Sequence, residues 1–294
     1  MKIPRKISFA LLIPALAWSC GGTQQKVESE ESATVEAVPS APSLTKVWET
    51  TEELTTNESA LYDASSGIIY IANIDGDSAE KDGKGFISKI SKTGEIIEKE
   101  WVKGLDAPKG MGIVNGTLYV TNIDELVEIN LTTGKISKRH KIEGAQFLND
   151  LDTSGDKVFF TDMNTGKIHV FQNGSFSLFA ENQTKINGIR IAEDGTVFGL
   201  DAAGLKKYNS DGSFEILNSN VTGGDGLIIL EDNVFLASRW QGEIYLIKDG
   251  IETLLLDTKA EESNTADIGY IPSENLVLVP TFFKNKVVAY KLDY

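Results

Sequence analysis

Glu58, Lys109, Asn149, Asn187, Asp225 and Asp267 each open a short segment that recurs along the chain. The segments read ESALYD, KGMGIV, NDLDTS, NGIRIA, DGLIIL and DIGYIP, at spacings of 51, 40, 38, 38 and 42 residues. Repetition makes the opening residues equivalent, so a fold that stacks the repeats about one axis brings them together. Glu58, Asn149, Asn187 and Asp225 then offer two carboxylates and two amide oxygens, an oxygen-only set of formal charge −2. Such a set suits calcium or magnesium better than copper or a thiolate-seeking metal. Water completes the shell, and a substrate oxygen can displace it. Asp267 is expected as a further residue facing the axis, and Asp150 as a neighbour of the set.

The elements that must position these side chains are strands. From residue 44 onward, short apolar runs such as Ile68–Ile74, Thr117–Ile123, Lys157–Met163, Asn233–Ser238 and Asn275–Pro280 alternate with turn signals. Among the turns are Asn115-Gly116, Thr133-Gly134, Asn173-Gly174, Asp194-Gly195, Asp211-Gly212 and Asp249-Gly250. Units of about 40 residues built from several strands are the size of propeller blades. Six unit starts imply an all-β, six-bladed β-propeller over residues 44–294. The last unit shows only three strands, so Leu44–Glu49 is expected to supply its fourth and cover an otherwise open edge. The first unit carries the insertion Asp75–Gly85. A plainer reading of Asn187-Gly188 and Asp225-Gly226 is that they are two more turns.

The unit starts carry a resemblance. NESALYDASSGIIYIANI (57–74), FLNDLDTSGD (147–156), INGIRIAEDG (186–195) and GGDGLIILEDN (223–233) resemble, in order, four signatures of the senescence marker protein (regucalcin), gluconolactonase and luciferin-regenerating enzyme family. The resemblance implies a six-bladed propeller with one divalent metal in its central channel, and often lactone hydrolysis. It implies Glu58, Asn187 and Asp225 as ligands and places Asn149 beside the metal or substrate. Calcium is the first expectation for the ion, with magnesium, manganese or zinc as alternatives.

The chemistry expected from such a site is metal-dependent hydrolysis of a lactone or related small ester, with the metal polarising the carbonyl. Asp225 is the candidate base for the attacking water. Asp150 is a second candidate base, or else a support for an Asn149 turn. Two departures from the family pattern bear on the substrate. Phe147 stands where the family has an arginine, and Ala60 and Tyr62 replace its proline and tryptophan, which favours a ring less polar than a sugar lactone. Lys109 is a candidate to compensate for that arginine, or a solvated loop lysine. Asp267 is a candidate substrate contact, whereas Trp101 and Trp240 are expected to pack within blades. The rival class is a non-catalytic binding or scaffold propeller whose metal ties the blades together.

Composition narrows the rest. A net charge of −15 and a pI near 4.7 exclude a nucleic-acid partner, which would need a basic surface. One cysteine excludes an internal disulfide or a CxxC zinc site, and two histidines, His140 and His169, exclude a multi-histidine metal centre. That cysteine, Cys20, follows a basic start and the apolar run Ile7–Trp18, an arrangement resembling a bacterial lipobox. Residues 1–19 are therefore expected to be a lipoprotein signal peptide, Cys20 a lipidation site and 20–43 an acidic flexible tether. This address implies a bacterial cell envelope location, most simply at the outer membrane, with membrane contact through the lipid alone.

Overall fold

Strand pairing divides the chain into six four-stranded antiparallel sheets, which are the six blades of a β-propeller. The computed structural model describes residues 41–294. The expected leader over 1–19, the lipidation site Cys20 and nearly all of the tether over 20–43 lie outside the described residues. Apart from one 3-10 turn at Pro272–Glu274, the described residues form strands, turns and loops.

Blade one runs through Asn57–Asp63, Ile68–Asn73, Gly85–Ile90 and Ile96–Leu105 in spatial order from the axis outward. The first strands of the next three blades are Pro108–Val114, Leu148–Ser154 and Gly188–Ile191. Those of the last two are Leu227–Glu231 and Gly269–Ile271. Blade six is completed by Leu276–Pro280, Val287–Asp293 and the N-terminal strand Ser43–Glu49, which pairs Ser43 with Asp293 and Glu49 with Val288. The closing strand is thus the expected one, begun one residue earlier.

The hairpin turns follow from their residues. Asn115-Gly116, Asn173-Gly174 and Asp249-Gly250 hold positive φ at both positions, the type I′ geometry that matches strand twist. The second strand of each blade has an apolar middle because it is covered on both faces; Leu276–Pro280 is buried throughout. Adjacent blades pack face to face. Tyr70, Ala72 and Ile87 of blade one meet Met111, Leu118 and Val120 of blade two. The seam where the ring closes is an equally apolar layer: Ile69 and Ile71 pack with Ile271, Leu278, Val287 and Ala289, and Trp48 covers it. Burying each such side chain contributes about 2 kcal/mol.

Candidate metal and substrate site

The residues that open the repeats lie where the innermost strands depart from regular pairing. In the first three blades the register slips between Asn57 and Ser59, between Pro108 and Met111, and between Leu148 and Leu151. These irregularities bracket Glu58, Lys109 and the pair Asn149-Asp150, and they free those side chains from strict alternation so that they turn toward the axis. In blades four and five the ladder starts at Gly188 and Leu227, so Asn187 and Asp225 lie just ahead of it.

The turn reading of Asn187-Gly188 and Asp225-Gly226 does not hold, for neither pair lies in a turn and each leads directly into an innermost strand. Their glycines are there for close approach. A Cβ on Gly188 would lie 2.4 Å from the Asp225 carbonyl oxygen, and one on Gly226 would lie 2.4 Å from the Ile268 nitrogen. Asn149 and Asp150 likewise sit within a strand rather than a turn.

Hydroxyls of the preceding blade hold the backbone at or just before the repeat openings. Thr121 Oγ1 donates to the Asn149 carbonyl, Thr161 Oγ1 to the Asn187 carbonyl at 2.9 Å, and Ser238 Oγ to the Ala266 carbonyl at 2.8 Å. In blades two, three and four the approach loops are held by the acid or amide that ends the second strand, Asn122, Asp162 or Asp201. Asn122 Oδ1 accepts from the Asp106 and Ala107 amides, and Asp162 accepts from those of Gln146 and Phe147.

Glu58, Asn149, Asn187 and Asp225 come together at the floor of one cavity of about 500 Å³. All four are at least nine-tenths buried. Glu58, Asp150 and Asp225 each place a carboxylate oxygen within 4.8 Å of the other two. Asp150, the second candidate base, therefore belongs with the acidic cluster; it is fully buried and is not part of the cavity wall. Asn187 Nδ2 donates to Asp225 Oδ1 at 2.8 Å, which turns the Asn187 oxygen away as a free acceptor. Among the described residues, Glu58 Oε2, Asn149 Oδ1, Asn187 Oδ1 and both Asp150 oxygens are buried with no hydrogen-bond partner. An unsatisfied buried acceptor costs about 1–3 kcal/mol, more when charged. A set of acceptors without a donor is the environment a hard cation relieves, and the donor chemistry, all oxygen, fits such an ion.

Electrostatics point the same way. Burial raises Glu58 well above the ordinary carboxylate range; Asp225 adds repulsion and Lys109 partly offsets it. Burial raises Asp150 likewise, with Asp267, Asp225 and Glu58 adding to it. Asp225 is pushed up to about 7 by burial and then by Asp267, while the hydrogen bond from Asn187 pulls it back. Two unit charges at this spacing repel by about 3 kcal/mol even at an effective dielectric near 20. Without a cation, the three acids cannot all ionise cheaply.

Lys109 is not a solvated loop lysine. It lies in the first strand of blade two, is 1% exposed, and reaches the cavity wall. Its Nζ donates to the Ser78 carbonyl at 2.9 Å and the Ala107 carbonyl at 3.0 Å, and lies 4.4 Å from the centre of the Phe147 ring. Burial lowers it to about 8, against the pull of Glu58 and Asp77.

Asp267 is buried but turns to the other end of the axis. Its Oδ2 accepts from Ser59 Oγ at 2.7 Å and its Oδ1 from Arg190 Nη2 at 3.3 Å. With Asp152 and Arg190 it lines a separate cavity of about 240 Å³, away from the wall of the larger one. His140 and His169 lie in outer strands of blades two and three, far in the sheet order from the axis.

Trp240, expected to pack within a blade, instead stands at the mouth of the larger cavity together with Phe282 and Phe283. Phe147, Met163 and Ile74 continue the apolar wall. Trp101 does pack in its blade, with its ring 5.1 Å from that of Tyr70, and covers the layer between blades one and two. Neither Phe282 nor Arg190 carried a signal in the sequence, because each becomes notable only through its neighbours from other blades.

No family model matches this chain, and no curated protein does. Solved structures do match. The fold is similar to that of a putative gluconolactonase at 14% identity, covering 87% of this chain and 93% of that one with a TM-score of 0.62. It is similar to regucalcin of Agrobacterium tumefaciens, described as a calcium-binding protein, at 15% identity over 86% of this chain and 97% of that one, TM-score 0.61. A catalytically inactive variant of virginiamycin B lyase from Staphylococcus aureus matches at 15% identity over 85% and 99%, TM-score 0.58. The likeness at these identities is one of fold.

Proposed function

We propose that this chain is a divalent-metal-dependent hydrolase of a lactone or related small ester, in the manner of the gluconolactonase and regucalcin family. The observation that carries the reading is the convergence of unpartnered buried oxygens from Glu58, Asn149 and Asn187 with the Asp225 carboxylate at the floor of a ligand-sized cavity. These four side chains would hold the cation, calcium in the first instance, with Asp150 as a further oxygen beneath them. When bound, the ion supplies Lewis-acid polarisation of the ester carbonyl.

The chain's own residues supply the rest. Asp225 lies in the cavity wall, and a carboxylate oxygen left free by the ion would be placed to take a proton from an attacking water. Asp150, outside that wall, is the weaker choice as base. Asn187 orients Asp225 through its amide. Lys109 contributes positive charge beside Glu58 and fixes the Ser78 side of the mouth. The apolar wall excludes water from the reacting centre.

A second reading has its own support. Glu58, Asp150 and Asp225 come from blades one, three and five, so a cation among them would brace alternate blades of a non-catalytic binding propeller.

The deciding experiment measures metal content and thermal stability of wild type, Glu58→Ala and Asp225→Ala. A panel of sugar, alkyl and acyl lactones is then assayed with Ca²⁺, Mg²⁺, Mn²⁺ or Zn²⁺. Bound metal with turnover that both variants lose is expected. Bound metal without turnover on any lactone supports the bracing role, and metal-independent stability without turnover rejects both readings. We also propose attachment to the bacterial envelope, at the outer membrane, by acylation of Cys20. Cys20→Ala should then move the protein from the membrane fraction to the soluble fraction.

A further inference from the structure

Trp240, Phe282 and Phe283 come from the second-to-third strand turns of blades five and six and meet only in the tertiary structure. Their rings form a contiguous edge-to-face cluster, with centroids 5.5 Å apart for Trp240 and Phe282, 5.9 Å for Trp240 and Phe283, and 4.8 Å for Phe282 and Phe283. Phe282 is 8% exposed and packs with Ile74, Ala107, Ile123 and Ala266. Trp240 and Phe283, in contrast, are 40% and 63% exposed at the cavity mouth.

The backbone is arranged to produce this division. Phe282 holds a φ of 49°, in the left-handed region that a bulky residue enters only at a cost. Its loop is pinned by the Leu54 amide donating to the Asn285 carbonyl at 3.0 Å and by the Thr56 amide donating to Asn285 Oδ1 at 2.9 Å. Consecutive phenylalanines are thereby split, one ring into the wall and one out over the opening.

The remaining walls do not suit a polyol or an anion. Lys109 Nζ already donates to two carbonyls, and Lys185 Nζ donates to Asn164 Oδ1 at 2.9 Å. The acids at the floor and Asp77 at the rim oppose a negatively charged ligand. A neutral ring with an apolar substituent matches both ends of the cavity, its ester at the oxygen-rich floor and its substituent against the aromatic mouth.

We propose that the substrate is a lactone bearing a hydrophobic alkyl or acyl arm, and that Trp240 and Phe283 grip that arm. The inference rests on the hydrolase reading for the reaction but not for binding. Two readouts separate them. Calorimetry follows binding of non-hydrolysable γ-lactams with arms of increasing length. Kinetics follow hydrolysis of γ-butyrolactone, γ-octalactone, γ-dodecalactone and δ-gluconolactone with added Ca²⁺.

Affinity and kcat/KM should each rise by up to about fourfold for every methylene covered. The Trp240→Ala/Phe283→Ala double variant should lose most of that dependence on length. Ile251→Ala, an exposed outer-strand change, should retain it. Arm-dependent lactam binding without any hydrolysis supports the aromatic grip and overturns the hydrolase reading. Hydrolysis indifferent to arm length, best on δ-gluconolactone, or equally length-dependent in the double variant overturns the grip and leaves the hydrolase reading standing.

Discussion

Glu58 and Asp225 are costly residues for a metal-free protein and valuable ones for a loaded protein, and that contrast can be measured. At an ion concentration of about 100 times Kd, binding stabilises the fold by about 2.7 kcal/mol. For a domain of this size that is about 5–10 °C in Tm. Glu58→Gln and Asp225→Asn should lose most of this gain, yet melt no lower than wild type in chelator at pH 8, since each removes a buried acid. An equal gain in wild type and variants would exclude these ligands. The pH dependence has a definite sign. Asp225 titrates at about 7 in the fold, above its unfolded value of about 3.9, so its contribution is full below about pH 4 and is lost as pH rises through 7. Glu58 and Asp150 shift in the same direction. Lys109, lowered to about 8, contributes above its unfolded value and loses that contribution as pH falls through 8. Melting in chelator should therefore decline from about pH 5 to 7.5. Saturating calcium should flatten the decline, because the cation holds the carboxylates ionised.

At the scale of elements, the inner strands act as a frame that presents carbonyls and side chains at fixed heights. Gly188→Ala would force its Cβ against the Asp225 carbonyl, at a cost of about 1–3 kcal/mol and with weakened calcium affinity. Thr161→Val leaves the Asn187 carbonyl without its hydroxyl donor and should cost about as much. Asn115→Ala, in an exposed turn with positive φ, should cost about 1 kcal/mol and leave calcium affinity unchanged. Urea denaturation and calcium titration of the three variants check this; loss of affinity in Asn115→Ala, or none in Gly188→Ala, would break the link between inner strand and site. The hairpin turns were legible because Asn-Gly and Asp-Gly select local geometry. The slips around Glu58, Lys109 and Asn149 were not, since a bulge is defined by a partner strand. The same gap left a turn open as the plainer reading of Asn187-Gly188, where glycine answers a neighbouring blade.

For the whole molecule, the ring depends on Ser43–Glu49 to finish blade six. Removing residues 41–49 exposes the Val287–Asp293 edge and uncovers the layer under Trp48. Such a truncation should lower Tm sharply and sediment as oligomers, and Trp48→Ala alone should cost about 2 kcal/mol. A monomeric truncation with unchanged Tm would show that the closing strand is dispensable. The repeat spacing and the missing fourth strand made six blades and their closure readable, because both are one-dimensional regularities of the chain. The sequence also marked Glu58, Asn149, Asn187 and Asp225 as equivalent positions. Only the tertiary structure decided that Asp150 lies in their acidic cluster rather than supporting a turn, that Asp267 turns to Arg190 instead, that Lys109 is buried over Phe147, and that Trp240 meets Phe282 and Phe283 at the mouth. The reason is physical: repetition fixes where a residue stands around the axis, whereas its direction and company depend on register slips and side chains contributed by other blades.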